Sequence, residues 1–179
     1  MKQIIYLTGF MGSGKSTIGP ILANVLGWDF YDLDRVIEKK TGKKIREVFE
    51  QDGEDFFRRI ETETLKEISN NDKTIISLGG GTVASEENIK ILKGSGKLFY
   101  LKMSMEAAYG RLKYKRDRPA LKNTSEDFSK EKLMNTIDEL MKARISYYEQ
   151  ADFTIDTDKS SVGKTVDKIV KIISQAGFE

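Results

Sequence analysis

The chain has 179 residues, of which 39% are hydrophobic and 32% are charged, a composition typical of a globular protein with one hydrophobic core. The 30 basic and 28 acidic residues leave a formal net charge of +2, which gives no reason to expect nucleic acid or an anionic membrane as a partner. The absence of cysteine and histidine excludes disulfides, thiolate zinc sites and a histidine general base, and leaves only oxygen ligands for a metal.

The first predicted elements are a strand and a helix. The run "QIIYLT" at 3–8 is short, apolar and ended by Gly9, which favours a buried parallel strand over a signal peptide. The segment "STIGPILANVLG" predicts a helix that ends at Gly27, and Pro20 is expected to distort it because proline lacks an N–H group. No apolar run approaches the ~20 residues of a membrane span. Because the chain also lacks cysteine, we expect a cytoplasmic protein.

The middle of the chain continues the alternation of strands and helices. The segment "WDFYDLD" at 28–34 predicts the second strand, and "RVIEKKTG" and "KIREVFEQDG" predict two short helices. A longer helix, "EDFFRRIETETLKEIS", has apolar residues at 57, 60, 65 and 68, close to helical spacing. The third strand, "KTIISLGGG", ends in three consecutive glycines.

The last part of the chain contains two more predicted strands. Ser85 is expected to cap a helix that ends at Gly94, "KLFYLKM" predicts the fourth strand, and Ser104 opens another helix. The polar segment 113–126 predicts a loop, followed by a long helix, the strand "DFTIDT" and a closing helix from Ser161. This alternation indicates the α/β class, with a five-stranded parallel sheet between two helical layers, in a single domain over residues 1–179.

The segment from Gly9 to Ser16, "GFMGSGKS", matches the phosphate-loop pattern G-x-x-x-x-G-K-[ST] between a predicted strand and a predicted helix. Glycines allow backbone N–H groups to surround an anion, and the following helix presents its positive N-terminus to it. Lys15 can reach the β- and γ-phosphates, and Ser16 can bind Mg²⁺. The chain is therefore expected to bind a nucleoside triphosphate, through Gly12, Ser13, Gly14, Lys15, Ser16 and Thr17.

Asp32 and Asp34 lie two residues apart near the end of the second predicted strand. Strand alternation places both side chains on the same side, at the sheet edge that lines the ligand crevice of α/β proteins. One carboxylate could assist Mg²⁺ while the other holds a hydroxyl group. A solvated aspartate pair at a strand-to-helix junction is the alternative, because aspartate is a frequent helix cap.

Six segments occur in the order found in the shikimate kinases: "GFMGSGKSTIG", "FYDLDRVIE..TG", "FFRRIE", "SLGGGTV", "RDRPAL" and "KARISYYEQAD". The chain resembles this family over nearly its whole length. The resemblance implies a phosphate-loop kinase fold with a small substrate-binding helical insertion at about 33–61 and a lid at about 112–126. It also implies MgATP and shikimate as substrates, and we expect a monomer without nucleic-acid or membrane partners.

The resemblance implies a role for each candidate residue on the acceptor side. Arg58 and Arg144 would hold the shikimate carboxylate, and the Gly80 N–H group would donate to the substrate. Arg59, about 100° around the helix from Arg58, is interpreted as a surface residue. Asp34 would hold the 3-hydroxyl group and accept its proton.

Further roles implied by the resemblance concern the nucleotide. Arg118 in the lid would close on the transferring phosphoryl group, and Arg111 and Lys159 would lie beside the adenine. Asp32 would assist Mg²⁺ directly or through water, next to Ser16. Where the family commonly has R-P-L-L at the lid, this chain has R-P-A-L, with Ala120 in place of the first leucine.

The predicted reaction is transfer of the γ-phosphoryl group of MgATP to shikimate, with Lys15 and Arg118 stabilising the moving group. Two alternatives remain open. One is a different small-metabolite kinase, such as a gluconate or nucleotide kinase, and the other is a nucleotide-binding module without catalytic activity. A GTPase is disfavoured because the sequence has no N-K-x-D guanine motif.

Overall fold

The computed structural model describes residues 2–113, 130–158 and 160–176. Within these ranges the chain forms one five-stranded sheet in which every neighbouring pair of strands is parallel, in the order β2-β3-β1-β4-β5. This confirms the predicted α/β architecture. The strands are β1 Ile4–Thr8, β2 Asp29–Asp32, β3 Thr74–Ser77, β4 Lys97–Lys102 and β5 Phe153–Asp156.

Helices connect the strands and cover the sheet. A short 3₁₀ helix at Thr82–Ala84 follows the glycine triplet. None of the helices in the described ranges is long and apolar enough to cross a membrane. The α-helices are α1 Lys15–Leu26, α2 Leu33–Thr41, α3 Ile45–Gln51, α4 Glu54–Ile68, α5 Glu86–Ser95, α6 Met105–Leu112, α7 Lys130–Tyr148 and α8 Val162–Gln175.

The central strand β1 separates two hydrophobic clusters. All five of its residues are buried, and successive side chains point to opposite faces of the sheet. Ile4 and Tyr6 pack in a cluster with residues of α2, α4, α6 and α7. Ile5 and Leu7 pack in a second cluster with residues of α1 and α8. The sheet is therefore the middle of three layers, as predicted.

Three of the helix starts are fixed by serine caps. Ser85 accepts a hydrogen bond from the Asn88 backbone N–H, and Ser104 and Ser161 make the equivalent bond at α6 and α8. Such a cap satisfies a backbone donor that the helix leaves unpaired. The predicted starts at these positions are confirmed.

The second strand is shorter than predicted. It ends at Asp32, whose side chain accepts a hydrogen bond from the Arg35 backbone N–H at 3.3 Å and caps α2. Asp34 lies in the first turn of α2, so the strand alternation from which its direction was predicted does not apply. Asp32 is therefore both the last residue of β2 and the N-cap of α2.

The end of α5 differs from the prediction, and α1 continues through Pro20. Helix α5 runs through Gly94 and ends at Ser95, and the next residue, Gly96, is extended and passes so close to the Ile4 carbonyl oxygen that a Cβ atom would overlap it. Helix α1 runs unbroken through Pro20. Pro20 removes the N–H group that would bond the Ser16 carbonyl, and Ser16 is exposed, so the loss falls on the solvent side of the helix.

Candidate active site

The phosphate loop joins the end of β1 to the start of α1. Gly12 and Gly14 have φ values of 83° and 100°, in the left-handed region that favours glycine. Gly14 is the N-cap residue of α1 and makes no side-chain cap bond, so no capping side chain stands between the positive end of the helix and an anion. The Lys15 ammonium donates to the Gly9 carbonyl at 2.7 Å and to the Phe10 carbonyl at 3.2 Å. Lys15 is thus held against the backbone of the phosphate loop, where it can bind a phosphate together with the loop.

Ser16 and Asp32 bring two oxygen ligands together beside this loop. The Ser16 hydroxyl donates to the Asp32 carboxylate at 3.4 Å. Within the described residues there is no group of three or more carboxylates that could hold a metal by itself. A hydroxyl and one carboxylate suit Mg²⁺, which usually takes few protein ligands and shares substrate phosphates and water. The pair therefore fits an ion that binds together with a nucleotide.

The glycine triplet after β3 is surrounded by charged side chains. A Cβ atom on Gly79 would lie 3.0 Å from the Asp34 carboxylate, and one on Gly80 would lie 3.2 Å from the Arg144 guanidinium. A Cβ atom on Gly81 would lie 3.2 Å from both terminal nitrogens of Arg58. One carboxylate and two guanidinium groups thus meet the same three residues. Glycine lets these charged groups approach the backbone closely, and a side chain at any of the three positions would push one of them aside.

Arg58 is held by two glutamates on its own helix. Its Nη1 donates to Glu61 at 2.9 Å, and its Nε and Nη2 donate to Glu54 at 3.3 and 3.1 Å. Glu61 is 1% exposed and also accepts the Thr82 hydroxyl at 2.7 Å, whereas the Glu54 side chain is 64% exposed. Burial lowers the pKa of Arg58, but the two carboxylates outweigh it and leave that pKa above its usual value. Arg58 is thereby fixed as a cation at the glycine triplet.

Arg59 lies outside this arrangement. It is exposed, and its guanidinium lies 5.4 Å from the centre of the Phe56 ring. The neighbouring Arg58 points toward Glu61 and the triplet instead. The two arginines diverge because adjacent residues of a helix are rotated by about 100°.

Arg144 and Tyr148 approach the triplet from a second helix, α7. The Tyr148 hydroxyl donates to the Gly80 carbonyl at 2.8 Å. Burial raises the pKa of the Tyr148 phenol, against the charge of Arg144 and its hydrogen bond to the phenol. At neutral pH the phenol therefore stays protonated and remains a hydrogen-bond donor.

Arg111 closes the other end of the site. Its guanidinium donates to the Gly12 carbonyl at 3.0 Å and to the Thr157 carbonyl at 3.4 Å, so it joins the phosphate loop to the segment after β5. The cleft between these groups has a volume of about 520 Å³. Its lining includes Lys15, Ser16, Asp32, Asp34, Gly80 and Arg111.

The structure brings the predicted residues of the phosphate loop, Asp32, Asp34, Arg58, Gly80, Arg111 and Arg144 to one edge of the sheet. Arg118, Lys159 and the lid from residue 114 onward lie outside the described residues. Sequence reasoning missed Glu61 and Tyr148. Each is one helical turn from a predicted arginine, Glu61 three residues after Arg58 and Tyr148 four residues after Arg144, and this spacing was the available signal.

Comparisons with known proteins point to one family. A family model described as shikimate kinase matches residues 11–174. The shikimate kinases of Chlorobium phaeobacteroides and Chlorobaculum parvum are each 43% identical over 174 residues, which covers 97% of this chain and 92% and 93% of those proteins. A solved structure of shikimate kinase from Acinetobacter baumannii in complex with shikimate has a TM-score of 0.88 and 33% identity, covering 98% of this chain and 95% of that one.

Proposed function

The chain belongs to the shikimate kinase family, and from this premise we propose which of its residues perform the phosphoryl transfer and how. It is an ATP-dependent kinase that transfers the γ-phosphoryl group of ATP to the 3-hydroxyl group of shikimate, in aromatic amino acid biosynthesis. The observation that carries the assignment of residues is the meeting of Asp34, Arg58 and Arg144 around the glycine triplet, next to the phosphate loop.

On the nucleotide side, the phosphate loop binds the triphosphate. Lys15 exchanges its contacts with the Gly9 and Phe10 carbonyls for the β- and γ-phosphates. The loop and first-turn residues from Gly12 to Thr17 surround the phosphates, and Arg111 lies beside the adenine. Since Arg111 is already bonded to the Gly12 and Thr157 carbonyls, it is held in place before the nucleotide arrives.

The Ser16 hydroxyl and Asp32 would hold Mg²⁺, directly or through water, and the bound ion would neutralise negative charge on the phosphates. Ser16 is available for this role because its hydroxyl, now 3.4 Å from Asp32, is exposed. Lys15 contributes a second positive charge from the loop itself.

On the acceptor side, Arg58 and Arg144 bind the carboxylate of shikimate, and the Gly80 N–H group donates to the substrate. Guanidinium groups suit this role because their planar fork matches a carboxylate. Glu54 covers part of the Arg58 fork, so the substrate carboxylate displaces an exposed side chain, while the buried Glu61 continues to hold Arg58.

Asp34 orients the 3-hydroxyl group toward the γ-phosphate and accepts its proton late in the reaction. The transition state of phosphoryl transfer is loose in most analyses, so positioning and stabilisation of charge contribute more than a strong base. Asp34 is suited to positioning because it lies in the first turn of α2, against Gly79. Shikimate 3-phosphate and ADP are the products.

The remaining parts of the proposal rest on the family resemblance. Arg118 closes on the transferring phosphoryl group and Lys159 lies beside the adenine, with residues 112–126 as the lid. Residues 1–179 act as one domain in which 33–61 bind the acceptor, and the protein is a cytoplasmic monomer without nucleic-acid or membrane partners.

The test is ADP release from MgATP with shikimate, gluconate, quinate and AMP supplied separately. We expect release above the background of water hydrolysis with shikimate. Release with another acceptor alone would overturn the proposed roles of Arg58, Gly80 and Arg144. Binding of ATP without release for any acceptor would instead favour a nucleotide-binding module.

A further inference from the structure

Tyr148 is the last residue of α7, and it contacts Gly80 of the glycine triplet. It is 1% exposed, and its ring stacks on Tyr100 with 5.2 Å between the ring centres. Its hydroxyl donates to the Gly80 carbonyl at 2.8 Å. Because the hydroxyl has a single proton, this bond leaves its oxygen able to accept a hydrogen bond. The Arg144 guanidinium lies on the same side of Gly80, and its positive charge acts on the phenol. One buried hydroxyl thus lies beside two groups that the proposed function assigns to the acceptor.

The positions of Gly80 and Arg144 both depend on contacts with other residues. Gly80 has no side chain to anchor it, so its placement depends on its backbone hydrogen bonds. Arg144 has a long side chain with many rotamers, whose freedom is lost only where a partner fixes it. Arg144 and Tyr148 are four residues apart on α7, so they share one helix face. A Cβ atom on Gly80 would lie 3.2 Å from Arg144 and 3.7 Å from the Tyr148 hydroxyl.

We propose that Tyr148 is a positioning residue for the acceptor, which holds the Arg144 guanidinium and the Gly80 peptide in the relative placement that shikimate requires. The inference rests on the proposed function, and Tyr148 acts through these two groups. Stacking on Tyr100 fixes the position of the Tyr148 hydroxyl. The hydroxyl in turn fixes the positions of the Arg144 guanidinium and the Gly80 peptide.

The direct test is Tyr148→Phe, which removes the hydroxyl and keeps the stacked ring. The Gly80 carbonyl then loses its donor, and Arg144 loses the polar atom beside it. We expect the shikimate KM to rise about tenfold, with the ATP KM changed by less than about twofold. Since the phosphate loop is not bonded to Tyr148, a selective effect on shikimate is the signature of positioning.

Tyr6→Phe is the matched control. Tyr6 is also a buried tyrosine, and its hydroxyl is 2.7 Å from both the Ser69 and the Ser95 hydroxyls. These serines precede β3 and β4, so the bonds lie at the sheet edge opposite the candidate site. Both variants are expected to fold and to lose a few degrees of Tm. We expect only Tyr148→Phe to change the shikimate KM.

The double variant with Arg144→Lys gives a second measurement. If Tyr148 acts through Arg144, its effect on the shikimate KM is smaller once the guanidinium is gone, and the two changes are less than additive. An unchanged shikimate KM in Tyr148→Phe, or an equal rise in both KM values, would overturn the inference. A wild-type protein without shikimate-dependent ADP release would overturn the proposed function instead.

Discussion

Glu61→Gln is expected to weaken both the fold and the acceptor site, because Glu61 is the buried partner of Arg58. The variant keeps an oxygen that can accept the Thr82 hydroxyl, which is now bonded at 2.7 Å. The amide nitrogen then faces the Arg58 Nη1, which is now bonded at 2.9 Å, and places one donor against another. Arg58 loses its buried negative partner and keeps the exposed Glu54.

The size of the effect follows from the burial of the pair. Breaking a fully buried ion pair costs ~3–5 kcal/mol, and an exposed pair contributes ~0–1 kcal/mol. Glu61 is 1% exposed and the Arg58 side chain is 38% exposed, so this pair lies between these limits. A loss of about 2 kcal/mol corresponds to a fall in Tm of roughly 4–8 °C for a chain of this size.

The assay combines thermal unfolding with steady-state kinetics of ADP release. Besides the fall in Tm, we expect the shikimate KM of Glu61→Gln to rise about tenfold, because Arg58 is no longer held at the glycine triplet, while the ATP KM stays unchanged. Glu54→Gln is the matched control. It removes the other carboxylate on Arg58, which is 64% exposed, and is expected to lower Tm by no more than about 2 °C without raising the shikimate KM.

Two results would refute this reasoning. Equal losses of Tm in the two variants would show that burial of Glu61 does not set the strength of the pair. A lower Tm in Glu61→Gln with an unchanged shikimate KM would show that Glu61 supports the fold but does not position Arg58.

Four further outcomes are expected. Asp34→Asn should reduce turnover at least about 100-fold with ATP binding retained, because the acceptor hydroxyl loses its proton acceptor; calorimetry checks the binding. Arg58→Lys should mainly raise the shikimate KM, because an ammonium cannot reproduce the guanidinium fork. Gly80→Ala should also raise the shikimate KM, because its Cβ atom would lie 3.2 Å from the Arg144 guanidinium and displace it. A hydrogen bond from the Gln3 backbone N–H lowers the pKa of Asp72 in the folded protein. The charged carboxylate therefore adds stability above its unfolded pKa of about 3.9, and this stability is lost as pH falls through its folded pKa. The difference in Tm between wild type and Asp72→Asn should therefore shrink at low pH.

Each of these outcomes has a contrary result. Near-normal turnover in Asp34→Asn would remove Asp34 from catalysis, and an unchanged shikimate KM would remove Arg58 or Gly80 from the acceptor site. A constant difference in Tm across pH would show that Asp72 does not contribute through its charge.

The order of the elements was predictable because the strands are short apolar runs and the connecting helices begin at polar caps. Ser85, Ser104 and Ser161 identified three helix starts for that reason. The end of β2 was misplaced because Asp32 suits both a strand end and a helix cap, and only the observed bond to the Arg35 N–H decides between them.

The candidate site was predictable where a local pattern carries the chemistry, as in the phosphate loop. The contacts that hold Arg58 and Arg144 were not predictable, although Glu61 and Tyr148 lie on the same helices as these arginines. Glu61 looks like an ordinary helix-surface glutamate until α4 is packed and buries it. Tyr148 bonds to Gly80, which is 68 residues away in the chain. Such contacts depend on tertiary packing, and helical spacing alone shows only that the partners share a helix face.

Because β1 lies in the middle of the sheet, the strands on its two sides lead to different parts of the candidate site. On one side, β2 and β3 lead to Asp34 and the glycine triplet, and on the other, β4 and β5 lead to α6 with Arg111 and to Thr157. Arg144, on α7 between β4 and β5, reaches the same triplet, so changes of acceptor preference can accumulate after β2 and β3 and at this one face of α7 while the phosphate loop stays constant. A mutant library confined to these segments would explore new acceptors with the phosphate loop unaltered.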